Sequence, residues 1–199
     1  MELALTADQV AAIEAIGRQH PGNFHEKFFA NPQTWVAPKM LSRAIDMHLQ
    51  RSPHKLWILD VGSAIPYFAH VCKKWEHDVI SVDLPEDWLV QSAQALDCEY
   101  VPHRITLEQP LPRLPHRFDL VTMFGVNLNH ANGSLFSFDE YMIVAKAGFD
   151  LLHPGGRLVV GFNLGYLDNV WQRIALWRRC FPAGTQVELK DNVVSIHSR

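Results

Sequence analysis

The stretch from Leu56 to Asp83 constrains this chain more than any other. It reads Leu-Trp-Ile-Leu-Asp-Val-Gly-Ser-Ala-Ile-Pro, then a mixed apolar and polar segment, then Val-Ile-Ser-Val-Asp. The pattern predicts a strand over 56–61, a tight small-residue turn, a helix over 65–76 and a second strand over 78–83 that ends in an acid. In a unit of this kind the turn lets backbone approach a nucleotide-type cofactor, and the distal carboxylate can accept two ribose hydroxyls. Asp83 follows Asp60 by 23 residues, close to the spacing of about 20 for a ribose-binding acid.

The alternation continues beyond Asp83. Further strands are expected at 99–102, 118–125 and 157–163, and further helices at 86–96, 138–152 and 168–179, with Ser137 and Glu140 at capping-box spacing before the helix at 138–152. Strands that alternate with helices imply crossover units and a mostly parallel sheet. The nearly unbroken apolar run at Leu56 suits a strand covered on both faces. Residues 186–199 suit an antiparallel edge hairpin turning at Asp191-Asn192.

The first fifty residues follow another rhythm. Thr6 and Gln9 have capping-box spacing before a helix over 6–19, which Pro21-Gly22-Asn23 ends. Residues 24–34 are irregular and aromatic-rich, and a second helix is expected from Gln33 to Gln50. The fold class is therefore α/β: a Rossmann-like, doubly wound, mostly parallel sheet with helices on both faces and an antiparallel C-terminal edge strand. Residues 1–51 form an N-terminal helical cap or lid and 52–199 the main domain, one compact domain overall.

Composition narrows the function. A chain of 199 residues with 48% hydrophobic content can bury the core of one domain. A net charge of −3 gives no electrostatic case for a nucleic-acid partner. Cys72, Cys98 and Cys180 have no C-x-x-C spacing, which argues against a disulfide framework and suits a reducing cytoplasm. The N-terminus lacks a basic segment before an apolar run, so no secretory signal is expected. No stretch approaches the roughly 18 apolar residues of a membrane span. The eleven histidines include no His-Glu-x-x-His or paired ligand spacing, so no metal is expected.

Four segments in order carry a resemblance: Leu-Asp-Val-Gly at 59–62, Val-Asp at 82–83, Phe-Asp-Leu-Val-Thr at 118–122, and Leu-Leu-His-Pro-Gly-Gly-Arg-Leu-Val-Val at 151–160. Read together, they resemble class I S-adenosylmethionine-dependent methyltransferases, in a bacterial type that modifies small molecules or glycans. The resemblance spans roughly Ser52 to Arg199. The Leu-x-Pro-Gly-Gly segment is its most specific part, since Pro154 stops a helix and Gly155-Gly156 free the backbone for a sharp return.

The resemblance implies S-adenosylmethionine as cofactor and methyl transfer to an oxygen or nitrogen of a small molecule or sugar. Gly62, Ser63 and Asp83 would hold the cofactor, with Ala64, Leu84 and Phe124 lining it; Asp83 could instead cap the helix that begins near Glu86. Asp60 would orient the turn or reach the cofactor's amino group through water; a purely structural role is equally open. The family's glycine turn is altered here, with Ala64 and Pro66 where glycines are usual. Pro66 is harmless at the first helical position, whereas the methyl of Ala64 narrows the approach to the backbone.

Strand four runs into Met123-Phe124-Gly125-Val126-Asn127-Leu128-Asn129-His130. Ligands meet the carboxyl ends of parallel strands. His130 could therefore serve as general base, or it could hydrogen-bond locally. Asn127 and Asn163 could position substrate. Adenine recognition would fall to backbone groups or Thr106. Phe28, Phe29 and Trp35 belong either to the core or to a substrate lid, and Trp171 and Trp177 to the core. An alternative function is a catalytically silent methyltransferase-like binding or regulatory protein. The sequence leaves the oligomeric state open, a homodimer included.

Overall fold

The computed structural model describes residues 4–22, 26–162, 177–190 and 193–198. Phe24, His25, Asn163, Trp171, residues 168–176 of the expected helix and the Asp191-Asn192 turn lie outside them. In chain order the elements are α1 (Ala7–Gln19), α2 (Glu26–Ala30), α3 (Pro32–Thr34), a π-helical turn (Trp35–Met40), α4 (Leu41–Asp46) and a 3-10 turn (Leu49–Arg51). They continue with β1 (Trp57–Val61), α5 (Tyr67–Lys74), β2 (Asp78–Asp83), α6 (Asp87–Ala95), β3 (Glu99–Pro102) and β4 (Phe118–Phe124). The last are α7 (Phe138–Asp150), β5 (Leu152–Gly161), β6 (Gln186–Lys190) and β7 (Val193–His197).

Among the described residues the strands form a seven-stranded sheet in the order β3-β2-β1-β4-β5-β7-β6. The expected α/β fold is present. The C-terminal hairpin places β7 antiparallel to β5 and puts β6 on the edge. The chain groups into two compact units, Met1–Leu56 with Ser63–Pro102 and Trp57–Gly62 with His103–Arg199.

In the first unit, α1 opens with the expected capping box: Thr6 Oγ1 accepts from Gln9 N–H, and the Gln9 side chain accepts from Thr6 N–H. Its buried face carries Ile13 and Ile16. Gly17 lets a neighbour approach closely, because a Cβ there would lie 2.4 Å from the Cβ of Phe29. Phe29 also meets the edge of Trp88 at 5.6 Å. This packing holds α2, where the sequence reading expected irregular chain. Five residues are too few to form a helix unaided.

The single helix expected from Gln33 to Gln50 is interrupted. Pro38 brings no N–H to the helical ladder, and the π-helical turn over Trp35–Met40 carries the chain past it. His48, at φ 60°, then ends the helical run. His77 ties Leu49 to Leu56. It accepts from Leu56 N–H at Nδ1 (3.2 Å) and pairs through Nε2 with Leu49 O (3.0 Å).

His70 on α5 is buried, and among the described residues its Nε2 has no hydrogen-bond partner. Burial, with Lys74 and Lys73 adding repulsion, lowers its pKa from 6.5 to about 4. The folded state thus binds this proton more weakly than the unfolded chain. Stability is full above pH 6.5 and falls as pH drops toward 4, by up to about 3 kcal/mol. His70→Leu should flatten the acid limb of a Tm-against-pH curve; an unchanged limb would contradict this.

In the second unit β1, β4 and β5 are parallel neighbours. The sequence reading expected β5 to begin at 157 after a Pro-Gly-Gly turn. It begins at Leu152, and the Pro-Gly-Gly segment lies inside it. Leu152 faces Phe118 and Arg157 faces Leu120, so β5 spends five steps where β4 spends two and bulges. Gly155 adopts φ +80° in that bulge. A Cβ on Gly156 would lie 2.9 Å from His153 O and 3.1 Å from both Phe118 O and Asp119 O. Ser137 and Glu140 form the expected capping box of α7. Trp177 is fully buried among Phe138, Phe162 and Phe181, in the core as expected.

Candidate cofactor site

The first unit ties the turn after β1 directly to the end of β2. Ala64 N–H donates to Asp83 Oδ2 at 2.7 Å, and Leu84 N–H donates to Asp83 Oδ1 at 2.7 Å. A carboxylate offers about four lone-pair positions, so a diol can still be accepted. Burial raises the Asp83 pKa, and the two N–H bonds oppose that rise. The alternative role for Asp83, capping α6, is not the one seen. Glu86 is the N-cap of α6, and no side-chain cap bond is made there.

Ala64 sits at φ +50°, in the left-handed region that costs an alanine about 1–2 kcal/mol. The turn therefore keeps a glycine-like backbone path without the glycine, and the bond to Asp83 fixes it. Pro66 is the N-cap of α5 rather than its first helical residue; its missing N–H still lies outside the helical ladder. Ser63 Oγ reaches Ala64 O only at 3.5 Å, so its hydroxyl can turn to a ligand.

Tyr100 was not singled out from sequence. It lies on β3 opposite Ser81 of β2, and its hydroxyl donates to Leu84 O at 2.6 Å. Burial, with the charges of Asp83 and Glu86, pushes its pKa up and keeps it a neutral donor. It steadies the residues that follow β2. The only sequence signal was an aromatic residue on the neighbouring short strand.

The second unit holds the other expected residues. Asp60, 4% exposed, accepts from Thr122 Oγ1 at 2.7 Å across the β1–β4 pair. That bond favours its structural role. Gly62 has φ +71°, and a Cβ there would lie 2.5 and 2.6 Å from the two methyls of Val126. Gly62 is thus required twice, by its conformation and by the segment after β4. The ring of Phe124 leaves similarly little room at Gly161, where a Cβ would sit 2.7 Å from it.

The segment after β4 is well tied. Asn129 bridges Leu135, Phe136 N–H donates to Leu128 O, and His130 N–H donates to Ser134 O. Within it His130 Nε2 meets Glu140 Oε2 at 3.2 Å, and its ring lies 4.6 Å from that of Phe136. The same Glu140 oxygen accepts from Ser137 N–H at the start of α7. Asn127 is exposed on this segment. Thr106 closes a local turn with Gln109. A separate open cavity of about 650 Å³ is lined by Arg117, Leu152, His153, Pro154 and Ser198. It borders the start of β5, the wrong end of a parallel strand for this chemistry. Among the described residues, no three His, Cys, Asp or Glu side chains gather to hold a metal.

No family model matches the sequence, and neither does any curated protein. Solved structures do. A TehB-like SAM-dependent methyltransferase from Corynebacterium glutamicum is 18% identical, with a TM-score of 0.65 over 92% of this chain and 99% of that one. The glycopeptide N-methyltransferase MtfA, complexed with S-adenosyl-L-methionine, is 11% identical, with a TM-score of 0.55 over 79% of this chain and 92% of that one. Streptomyces venezuelae DesVI is 20% identical, with a TM-score of 0.54 over 88% and 70% of the two chains. The strand order, the acid closing β2 and these likenesses agree: the chain has the fold of class I S-adenosylmethionine-dependent methyltransferases.

Proposed function

We propose that this protein is an S-adenosylmethionine-dependent methyltransferase acting on an oxygen or nitrogen of a small molecule or sugar. One observation carries the reading. The Asp83 carboxylate is bonded to the N–H of Ala64, so the turn and the acid form one preorganised element. The residues present fit the cofactor: Gly62 and Ala64 hold the open turn, Ser63 offers a hydroxyl, and Asp83 retains lone pairs for a ribose diol. When bound, the cofactor supplies an activated sulfonium methyl with a good leaving group. The chain's task is then mainly alignment.

His130 is the residue proposed to take the acceptor's proton. Glu140 fixes its Nε2, which leaves Nδ1 for that role. Asn127, exposed on the same segment, would orient the acceptor. The alternative, a catalytically silent binding protein, draws on the methyl that Ala64 adds to the turn. The test is transfer of a labelled methyl from S-adenosylmethionine into fractionated small-molecule extract. Transfer that His130→Ala lowers by about 100-fold or more, with cofactor affinity kept, supports the reading. Tight cofactor binding with no labelled product from any fraction favours the silent protein.

A further inference from the structure

Residues 27–55 contain five cationic side chains (Lys27, Lys39, Arg43, Arg51, Lys55) and one acid, Asp46, in a chain of net charge −3. Part of this surplus gathers on an aromatic pair in the first unit. Lys39 Nζ lies 4.3 Å over the ring of Trp35, and Lys27 Nζ lies 5.3 Å over the ring of Phe28. The two rings are 4.2 Å apart. Burial, with the positive charges of Arg43 and Lys27 adding to it, lowers the Lys39 pKa. Among the described residues Lys39 enters no ion pair.

The platform is fixed rather than loose. Trp35 Nε1 donates to Lys27 O at 3.0 Å, and Tyr67 Oη donates to Phe28 O at 2.8 Å. Tyr67 is fully buried at the start of α5, three residues beyond Ala64, so it ties the aromatic pair to the altered turn. Trp35 and Lys39 both belong to the π-helical turn, a distortion common at functional positions. The neighbouring Phe29 is buried in the core, while Phe28 and Trp35 remain half-exposed. Lys39 itself is exposed beside the Trp35 ring, so an anion that stacks on the ring can also pair with its ammonium group.

We propose that Lys39, assisted by Lys27 and Arg43, binds the carboxylate or phosphate group of a small molecule against the Phe28–Trp35 pair. Resting on the methyl-transfer reading, that molecule is the acceptor. The chain's overall negative charge disfavours a polyanion and suits a small ligand. The test titrates the protein with malonate and, separately, with inorganic phosphate. The Trp35 indole N–H signal is followed by NMR and assigned with Trp35→Phe. The expected result is a saturable shift with one or both anions, and the arm that saturates names the group. Half-saturation should move up about tenfold in Lys39→Met and return with Lys39→Arg. No saturable shift, equal titration of Lys39→Met, or tighter binding of a short single-stranded RNA would overturn the proposal. S-adenosylhomocysteine is titrated in parallel. If it fails to bind while the anion response persists, the methyl-transfer reading falls and the anion site stands.

Discussion

Asp83→Ala should weaken S-adenosylmethionine binding by about 100-fold or more. Two hydrogen bonds from a ribose diol to a carboxylate are each worth about 1.5–3 kcal/mol. The same substitution removes the acceptor of both Ala64 N–H and Leu84 N–H, so the turn loses its anchor as well. Asp83→Asn keeps one acceptor oxygen and should fall between wild type and alanine. Acid should mimic the substitution in part. Burial, opposed by the bonds from Ala64 and Leu84 N–H, raises the Asp83 pKa above 3.8, so as pH falls affinity should decline before an ordinary aspartate would take its proton. Calorimetric titration across pH checks both results. Equal affinity for wild type and Asp83→Ala would remove the ribose role.

Gly62→Ala should cost about 2–4 kcal/mol of stability. The new Cβ faces two penalties: a φ of +71° and the Val126 methyls at 2.5 and 2.6 Å. For a chain of this length that corresponds to a fall in Tm of about 6–12 °C. The penalties separate in a double-mutant cycle. Val126→Ala clears the contact and leaves the dihedral strain, so Gly62→Ala/Val126→Ala should regain about half of the loss beyond the cost of Val126→Ala alone. Additive losses would mean that Val126 does not press on Gly62.

Local physics made much of this fold legible. The strands at 78–83 and 99–102 and the capping boxes at Thr6 and Ser137 depend on residues within a few positions of one another, and the structure places them where the pattern put them. The misses depend on distant partners. α2 exists because Phe29 packs against Gly17. β5 starts early because its bulge must register Leu152 with Phe118 and Arg157 with Leu120. The same division runs through the candidate site. Asp83 was legible from its place at the end of a strand. Its bond to Ala64, its neighbour Tyr100, the pressure of Val126 on Gly62 and the Glu140 partner of His130 were not, because each joins residues that only the folded chain brings together.

The altered turn decides the central claim, and calorimetric titration of the purified protein with S-adenosylmethionine and S-adenosylhomocysteine tests it most directly. With the glycine-like path kept at Ala64 and Asp83 poised beside it, both ligands should bind with micromolar affinity, roughly −8 kcal/mol. No heat and no thermal shift with either would mean that the Ala64 methyl has closed the turn to the cofactor, and would contradict the methyl-transfer account.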